Sequence, residues 1–133
     1  MDVKILLEKA KKSAENSYSP YSNFRVGASV LTSEGKIFTG TNVENRSYGA
    51  TICAERVAIT KAVSEGYKKF KAICIVSPDS IELLPPCGIC RQFITEFGRD
   101  IEIIMSNKNL EYKIVNIKNL LPYDSLFNLK EST

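Results

Sequence analysis

Ala72-Ile73-Cys74-Ile75-Val76, Pro85-Pro86-Cys87-Gly88-Ile89-Cys90-Arg91-Gln92-Phe93-Ile94-Thr95-Glu96-Phe97 and Ile101-Glu102-Ile103-Ile104-Met105-Ser106 together decide the fold. The first is an unbroken apolar run bounded by Pro78, the pattern of a central strand covered on both faces. The second is a helix over Cys87 to Phe97. The proline pair opens it, Ile89, Phe93 and Phe97 recur four apart on one face, and Gly98 stops it. The third is another strand, Ile101 to Ser106. Strand, helix and strand in this order make a right-handed crossover between parallel strands.

Working downstream, Asn107-Lys108-Asn109 is too short to cross a sheet. A fifth strand over Tyr112 to Ile117 therefore runs antiparallel to the fourth. Leu120-Leu121-Pro122 then begins a short tail carrying Tyr123 and Phe127. Upstream, Ala54, Val57, Ala58, Ile59, Ala62 and Val63 cover most of a helix from Cys53 to about Ser64, closed by Gly66. Asn42 to Thr51 is a polar, glycine-containing loop, a natural place for substrate contacts. Ile37 to Thr41 pairs through the turn Ser33-Glu34-Gly35-Lys36 with a strand in which Val26, Ala28 and Val30 alternate. Val3, Leu6, Leu7, Ala10 and Ala14 predict a first helix from about Val3 to Asn16, broken by Ser19-Pro20-Tyr21-Ser22. The expected architecture is α/β, a mixed five-stranded sheet with helices on both faces, forming one domain over residues 1–133.

The 133 residues suffice for one domain with a real core. Eighteen basic against 15 acidic side chains leave a net charge of +3, and the lysines are scattered. No basic run tracks a phosphate backbone, which argues against a nucleic-acid partner. No apolar stretch approaches the ~20 residues of a membrane span, and no signal peptide is visible at Met1-Asp2-Val3-Lys4. The expected compartment is a reducing cytoplasm, where four cysteines read as ligands or core residues. The chain has no histidine, which excludes a Ser-His-Asp triad, a Cys-His pair and any histidine-bearing metal site.

Cys53-Ala54-Glu55 and Pro86-Cys87-Gly88-Ile89-Cys90 carry the chemistry. Cys87 and Cys90, three apart at a helix start, point the same way, and Cys53 lies at the start of another helix. Both helix starts favour thiolates. Alone, Cys87-x-x-Cys90 also fits a redox pair or half a zinc ribbon. A ribbon needs a second such pair, and only Cys74 remains, in the middle of an apolar strand. Three thiolates on a tetrahedral zinc leave one position open, and Glu55, two residues from a ligand, stands beside it without binding metal. Zinc with three thiolates carries a net negative charge and is a poor Lewis acid, so a positive field has to be restored. Arg56 is placed to do this by hydrogen-bonding the thiolates.

Taken together, these motifs, the histidine-free ligand set and the size closely resemble the small homotetrameric zinc-dependent cytidine deaminases. Ser19-Pro20-Tyr21-Ser22-Asn23-Phe24-Arg25-Val26-Gly27-Ala28 is similar to that family's opening motif, and Thr41-Asn42-Val43-Glu44-Asn45 to its ribose-binding segment. The resemblance implies a three-layer α/β/α fold and one zinc ion per chain on Cys53, Cys87 and Cys90. It implies that Glu55 shuttles protons from water to the pyrimidine ring nitrogen and then to the departing amine. It places Phe24 and Ala54 against the base, and Asn42, as donor and acceptor, with Glu44 on the ribose hydroxyls. It implies Phe127 from a neighbouring subunit over the base, Tyr48 at an interface and Gln92 supporting the site. A carboxylate at Glu44 repels a 3′-phosphodiester, which favours free nucleosides over polynucleotides. The antiparallel fifth strand points the same way. Pyrimidine salvage is the implied role. The alternatives are a deaminase of a cytosine antibiotic of the blasticidin S type, a non-catalytic zinc interaction module, and a polynucleotide editor. The last lacks a basic or aromatic track for single strands.

Overall fold

The structure is a computed structural model that describes residues 1–124. Five strands form one sheet: β1 (Gly27–Thr32), β2 (Ile37–Thr41), β3 (Phe70–Val76), β4 (Glu102–Ser106) and β5 (Tyr112–Asn116), in the order β2-β1-β3-β4-β5. Only β3 and β4 are parallel, and β5 runs antiparallel to β4. Four helices accompany it: α1 (Val3–Ser13), α2 (Ala54–Ser64), α3 (Gly88–Thr95) and α4 (Ile117–Leu120).

The alternation of β3 explains the three layers. Ala72, Cys74 and Val76 join Ile104 of β4 against Leu6, Leu7 and Ala10 of α1. Ile73 and Ile75 face the other way, into Ala54, Ala58, Ile59 and Ala62 of α2 and Ile94 of α3. A strand buried on both faces has no polar side to show, so its apolar run is continuous. Small residues bring the helices close. A Cβ on Gly27 would lie 1.8 Å from the Ala10 carbonyl oxygen, and one on Gly40 would lie 2.5 Å from the Ala58 nitrogen. Gly40 thus lets α2, the carrier of Ala54, Glu55 and Arg56, settle directly onto β2.

Several expected boundaries shift. The strand expected to include Val26 begins at Gly27, the one expected from Ile101 begins at Glu102, and Phe70 extends β3 by two residues beyond Ala72. The first helix ends at Ser13 and tightens into a 3₁₀ turn over Ala14–Asn16, and the loop after β2 contains a 3₁₀ turn at Tyr48–Ala50. Ile117, expected in β5, instead starts α4, because Asn116 caps it by accepting from the Lys118 amide at 3.0 Å. The helix expected from Cys87 to Phe97 runs from Gly88 to Thr95. Its buried residues are Cys90, Ile94 and Thr95, whereas Ile89 is 66% exposed. The rotation follows from Cys90, which turns inward, while Phe93 and Phe97 pack along the flank of the core.

Candidate active site

Cys53 is the N-cap of α2 and Cys87 the N-cap of α3, both with extended backbone. Neither side chain caps its own helix, so both sulfurs are free to turn toward each other at the positive ends of two helices. Cys90, in the first turn of α3, is buried beside them. The three sulfurs lie within 4.8 Å of one another, and Cys53 and Cys87 are 3.6 Å apart. Sulfurs sharing a tetrahedral zinc at ~2.3 Å stand about 3.8 Å apart, so this trio fits one ion. Cys74 lies in β3 against α1, on the opposite face of the sheet from α2 and α3. Burial pushes its thiol up to about 12, consistent with an inert core thiol.

Electrostatics distinguish the sulfurs. Cys53 is held down to about 5, first by a hydrogen bond with Cys90, then by Arg56 and Cys87. Cys90 is driven upward as the partner in that bond and by burial. Arg56 Nη2 lies 3.6 Å from Cys53 Sγ and 3.4 Å from the Thr51 carbonyl oxygen, to which it also donates. Its Nε is buried with no hydrogen-bond partner. The guanidinium is thus shared between the sulfur cluster and the Thr51 carbonyl.

Glu55, the second residue of α2, is only 4% exposed. Its carboxyl is raised to about 7, chiefly by desolvation and next by the adjacent Cys53 thiolate. It lines a cavity of about 190 Å³ with Val26, Asn42, Cys53, Ala54 and Cys87, roofed by Leu84 and Pro85. A more open cavity of about 400 Å³, lined by Tyr21, Ser22, Glu44, Tyr48 and Thr51, adjoins it through the shared Thr51. The inner chamber is mostly apolar with acid chemistry at its base. The outer one carries polar groups and two aromatic rings, Tyr21 and Tyr48, packed edge to face.

Asn42 and Glu44 reach these cavities with much of their bonding capacity already used. Asn42 Oδ1 accepts from Ser17 Oγ and from the Val26 amide at 3.0 Å, while Nδ2 donates to the Phe24 carbonyl at 2.9 Å. Both acceptor lone pairs are taken, so one Nδ2 hydrogen is what Asn42 can offer a ligand, not the donor and acceptor expected from sequence. Glu44 Oε1 accepts from the Tyr21 and Ser22 amides at 3.0 and 3.1 Å, and Oε2 accepts from Ser22 Oγ. These bonds hold its pKa below the ordinary carboxylate value, the Ser22 side chain first. One lone pair on Oε2 remains open.

The other sequence candidates are placed less centrally. Phe24 is half-buried next to Val26 and is not among the residues lining either cavity. Gln92 sits on α3 two residues after Cys90, on an exposed position. Tyr48 is 75% exposed at the outer cavity. Phe127 lies outside the described residues. Sequence reading did not single out Thr51, Leu84, Pro85 or Ser22. Ser22 carries a signal in its place in the motif with Phe24 and Thr51 in its place at the end of the loop marked for substrate contacts, whereas Leu84 and Pro85 are brought in by tertiary folding alone.

A five-stranded sheet with one parallel pair, helix starts converging on three cysteines and a buried glutamate beside them define the class of zinc-dependent deaminases. Residues 2–106 match the family described as the cytidine and deoxycytidylate deaminase zinc-binding region, and the chain belongs to that family. It is 60% identical over 102 residues to a probable cytidine deaminase of Dictyostelium discoideum, covering 74% of this chain and 69% of that one. It is 42% identical over 123 residues to the cytidine deaminase of Sporosarcina psychrophila, covering 92% and 90%. The crystal structure of cytidine deaminase from Burkholderia pseudomallei superposes with a TM-score of 0.89 at 41% identity, covering 93% of this chain and 99% of that one. A blasticidin-S deaminase of Bacillus cereus is more distant, 33% identical over 104 residues.

Proposed function

We propose that this protein hydrolyses cytidine and deoxycytidine to uridine and deoxyuridine, releasing ammonia, in pyrimidine nucleoside salvage. The observation that carries this reading is the buried Glu55 carboxyl lining one apolar chamber with two of the three clustered cysteines. Cys53, Cys87 and Cys90 would hold one zinc ion, which when bound polarises water for attack on the amine-bearing ring carbon. The chain's own residues do the rest. Glu55, with proton affinity near neutral, takes a proton from the attacking water and delivers it to the adjacent ring nitrogen. It then takes the remaining proton from the hydroxyl added to the ring carbon and passes it to the exocyclic amine, which leaves as ammonia while the ring carbonyl forms. Arg56 offsets the negative charge of the sulfur cluster without occupying the chamber. Leu84 and Pro85 keep bulk water off the base.

The outer cavity suits the sugar. The free Nδ2 hydrogen of Asn42 donates to one ribose hydroxyl, and the open Oε2 lone pair of Glu44 accepts from another. Neither cavity is lined by a lysine or arginine, so the walls offer a phosphate on the sugar no counter-charge. That favours free nucleosides over nucleotides and polynucleotides. The pairing of Asn42 with Glu44 for the ribose disfavours a cytosine antibiotic lacking that hydroxyl pattern.

The whole chain works as one catalytic domain. No helix among the described residues is long and apolar enough to cross a membrane, and the four cysteines are unpaired, which supports a reducing cytoplasmic setting. Tyr18, Tyr21, Val43, Tyr48 and Ile52, all substantially exposed around the outer cavity and the loop behind it, form an apolar surface suited to a second copy of the chain. That supports a homotetramer in which neighbours complete each site, with Phe24, Phe127 and Gln92 contributing to or supporting the base pocket.

The decisive experiment measures zinc content and cytidine turnover for wild type and Glu55→Ala. The reading requires zinc in both and turnover in the wild type only. Zinc-loaded wild type with no effect on cytidine absorbance sinks it.

A further inference from the structure

Between Phe24 and Val26 the chain belongs to no strand, yet each of its polar main-chain atoms meets a side chain, the Val26 carbonyl taking Thr41 Oγ1 at 2.7 Å beside the Asn42 amide. The Phe24 amide donates to Ser22 Oγ at 3.0 Å and the Phe24 carbonyl accepts from Asn42 Nδ2 at 2.9 Å. The Arg25 amide donates to Asp79 Oδ2 at 2.9 Å and the Arg25 carbonyl accepts from Ser77 Oγ at 2.6 Å. The Val26 amide donates to Asn42 Oδ1.

The reason lies one residue beyond the sheet. β1 and β3 pair as far as Gly27 with Val76. Continuing that ladder would set Arg25 opposite Pro78, which has no amide hydrogen to give. Ser77 and Asp79, on either side of the proline, supply with side chains the bonds that the main chain cannot make. The Asp79 amide donates to Ser77 Oγ at 3.1 Å, which ties the two together. The Arg25 guanidinium adds two further contacts to Asp79, at 3.1 and 2.7 Å, on the solvent side.

We infer that Ser77 and Asp79 are positioning residues for the substrate chamber. By holding the Arg25 main chain they fix Val26, which lines that chamber, and the neighbouring Phe24. Neither touches the cavity, and both act through residue 25. The inference rests on the nucleoside reading proposed above, since the chamber it concerns is the base site. Asp79 thereby has two separable functions: accepting the amide of residue 25, which positions the wall, and pairing with the guanidinium, which is exposed and contributes little.

The test compares Asp79→Ala, Asp79→Asn, Arg25→Gln and Ser77→Ala by zinc content, melting temperature, and KM and kcat for cytidine. Loss of one main-chain hydrogen bond at the wall raises KM by about 5- to 10-fold with kcat changed less than twofold. Asp79→Ala is expected to show this with zinc unchanged. Asp79→Asn, which keeps an oxygen for the amide, recovers most of the affinity, and Arg25→Gln shifts KM less than Asp79→Ala. Ser77→Ala raises KM in the same direction and provides an independent reading should Asp79→Ala fold poorly. A lowered melting temperature with unchanged KM in both alanine variants overturns the inference, as does Arg25→Gln matching Asp79→Ala. Wild type with no cytidine turnover defeats the nucleoside reading instead, a result separate from any of these.

Discussion

The sulfur corner and the sugar-side rim are built by opposite means. At the corner, two regular helices begin, and the clustered cysteines are the residues at and just after their starts. The geometry there is set by helix periodicity and by the packing of α2 and α3 on the sheet. The rim is irregular chain, residues 17–26 and 42–52, whose shape depends on individual side chains accepting or donating to the main chain. The corner is therefore expected to lose activity in large steps when a group that reacts or sets its charge is changed. The rim is expected to lose affinity in small steps as single hydrogen bonds are removed.

The strongest way to sharpen this contrast is Glu55→Gln. The amide keeps the size of the side chain and its place on α2 but cannot take up a proton. Turnover is expected to fall by about 10²- to 10⁴-fold, the usual contribution of a positioned acid-base group. Zinc content and melting temperature should stay near wild type. Metal analysis beside a steady-state assay checks both, and loss of zinc in the variant would mean that Glu55 belongs to the ligand set.

Arg56→Ala probes the charge of the same corner. Its guanidinium donates to Cys53 Sγ as well as to the Thr51 carbonyl, which sets a positive charge against the sulfur cluster. Removing it leaves the ligands in place and a more negative metal environment. Activity is expected to drop about 10- to 100-fold with zinc retained, the range for groups that orient or tune metal ligands. Wild-type turnover in this variant would leave the charge argument without support.

On the rim, Asn42→Asp is expected to act on stability and affinity together. The carboxylate would put an oxygen where Nδ2 now donates to the Phe24 carbonyl, at a residue only 8% exposed. Two facing acceptors in a buried place cost about 1–3 kcal/mol. Thermal denaturation should show the loss, and KM for cytidine should rise while zinc content holds. An unchanged melting temperature would mean that the amide clamp carries no weight.

The contrast also explains what sequence could reveal. The apolar run through Cys74, the spacing of Cys87 and Cys90 and the placement of Cys53 two before Glu55 are local patterns, and each survives translation into three dimensions. So do the five strands and the antiparallel β5, because the connection after β4 is too short for any alternative. The facing of α3 was misread because periodicity alone weighs Ile89 as core, while the sulfur cluster turns Cys90 inward and Ile89 outward. The four-residue helix α4 is set by the Asn116 cap at its start and by Arg91, whose Nη1 donates to the Leu120 carbonyl at 3.0 Å, a contact no spacing rule predicts. The rim reads in sequence as a substrate segment, but its internal bonding is invisible there. No spacing rule tells that Asn42 has already spent its acceptor on Ser17 and Val26, or that Asp79 reaches the amide of residue 25.

The smallest expected effect, and the finest test of the rim, is Glu44→Gln. The carboxylate has four lone-pair positions, of which the Tyr21 amide, the Ser22 amide and Ser22 Oγ occupy three. In the amide, Oε1 keeps both main-chain donors, so the Tyr21-Ser22 turn stays held. Nε2 replaces Oε2 and carries hydrogens instead of lone pairs. Ser22 Oγ, which already accepts from the Phe24 amide, loses the acceptor for its own proton. The fourth position, open to a sugar hydroxyl, becomes a donor. The hydroxyl can turn to accept from it, so the contact is weakened and not abolished. KM for cytidine is expected to rise about 3- to 10-fold, the net value of one to two hydrogen bonds, with kcat unchanged because no reacting atom is touched. A free cytosine base, which lacks the sugar, provides the control: its binding should be the same in both proteins. Equal weakening for base and nucleoside would move Glu44 from the sugar to the general shape of the pocket. A fall in kcat with KM constant would place it with the corner and erase the distinction between the two regions.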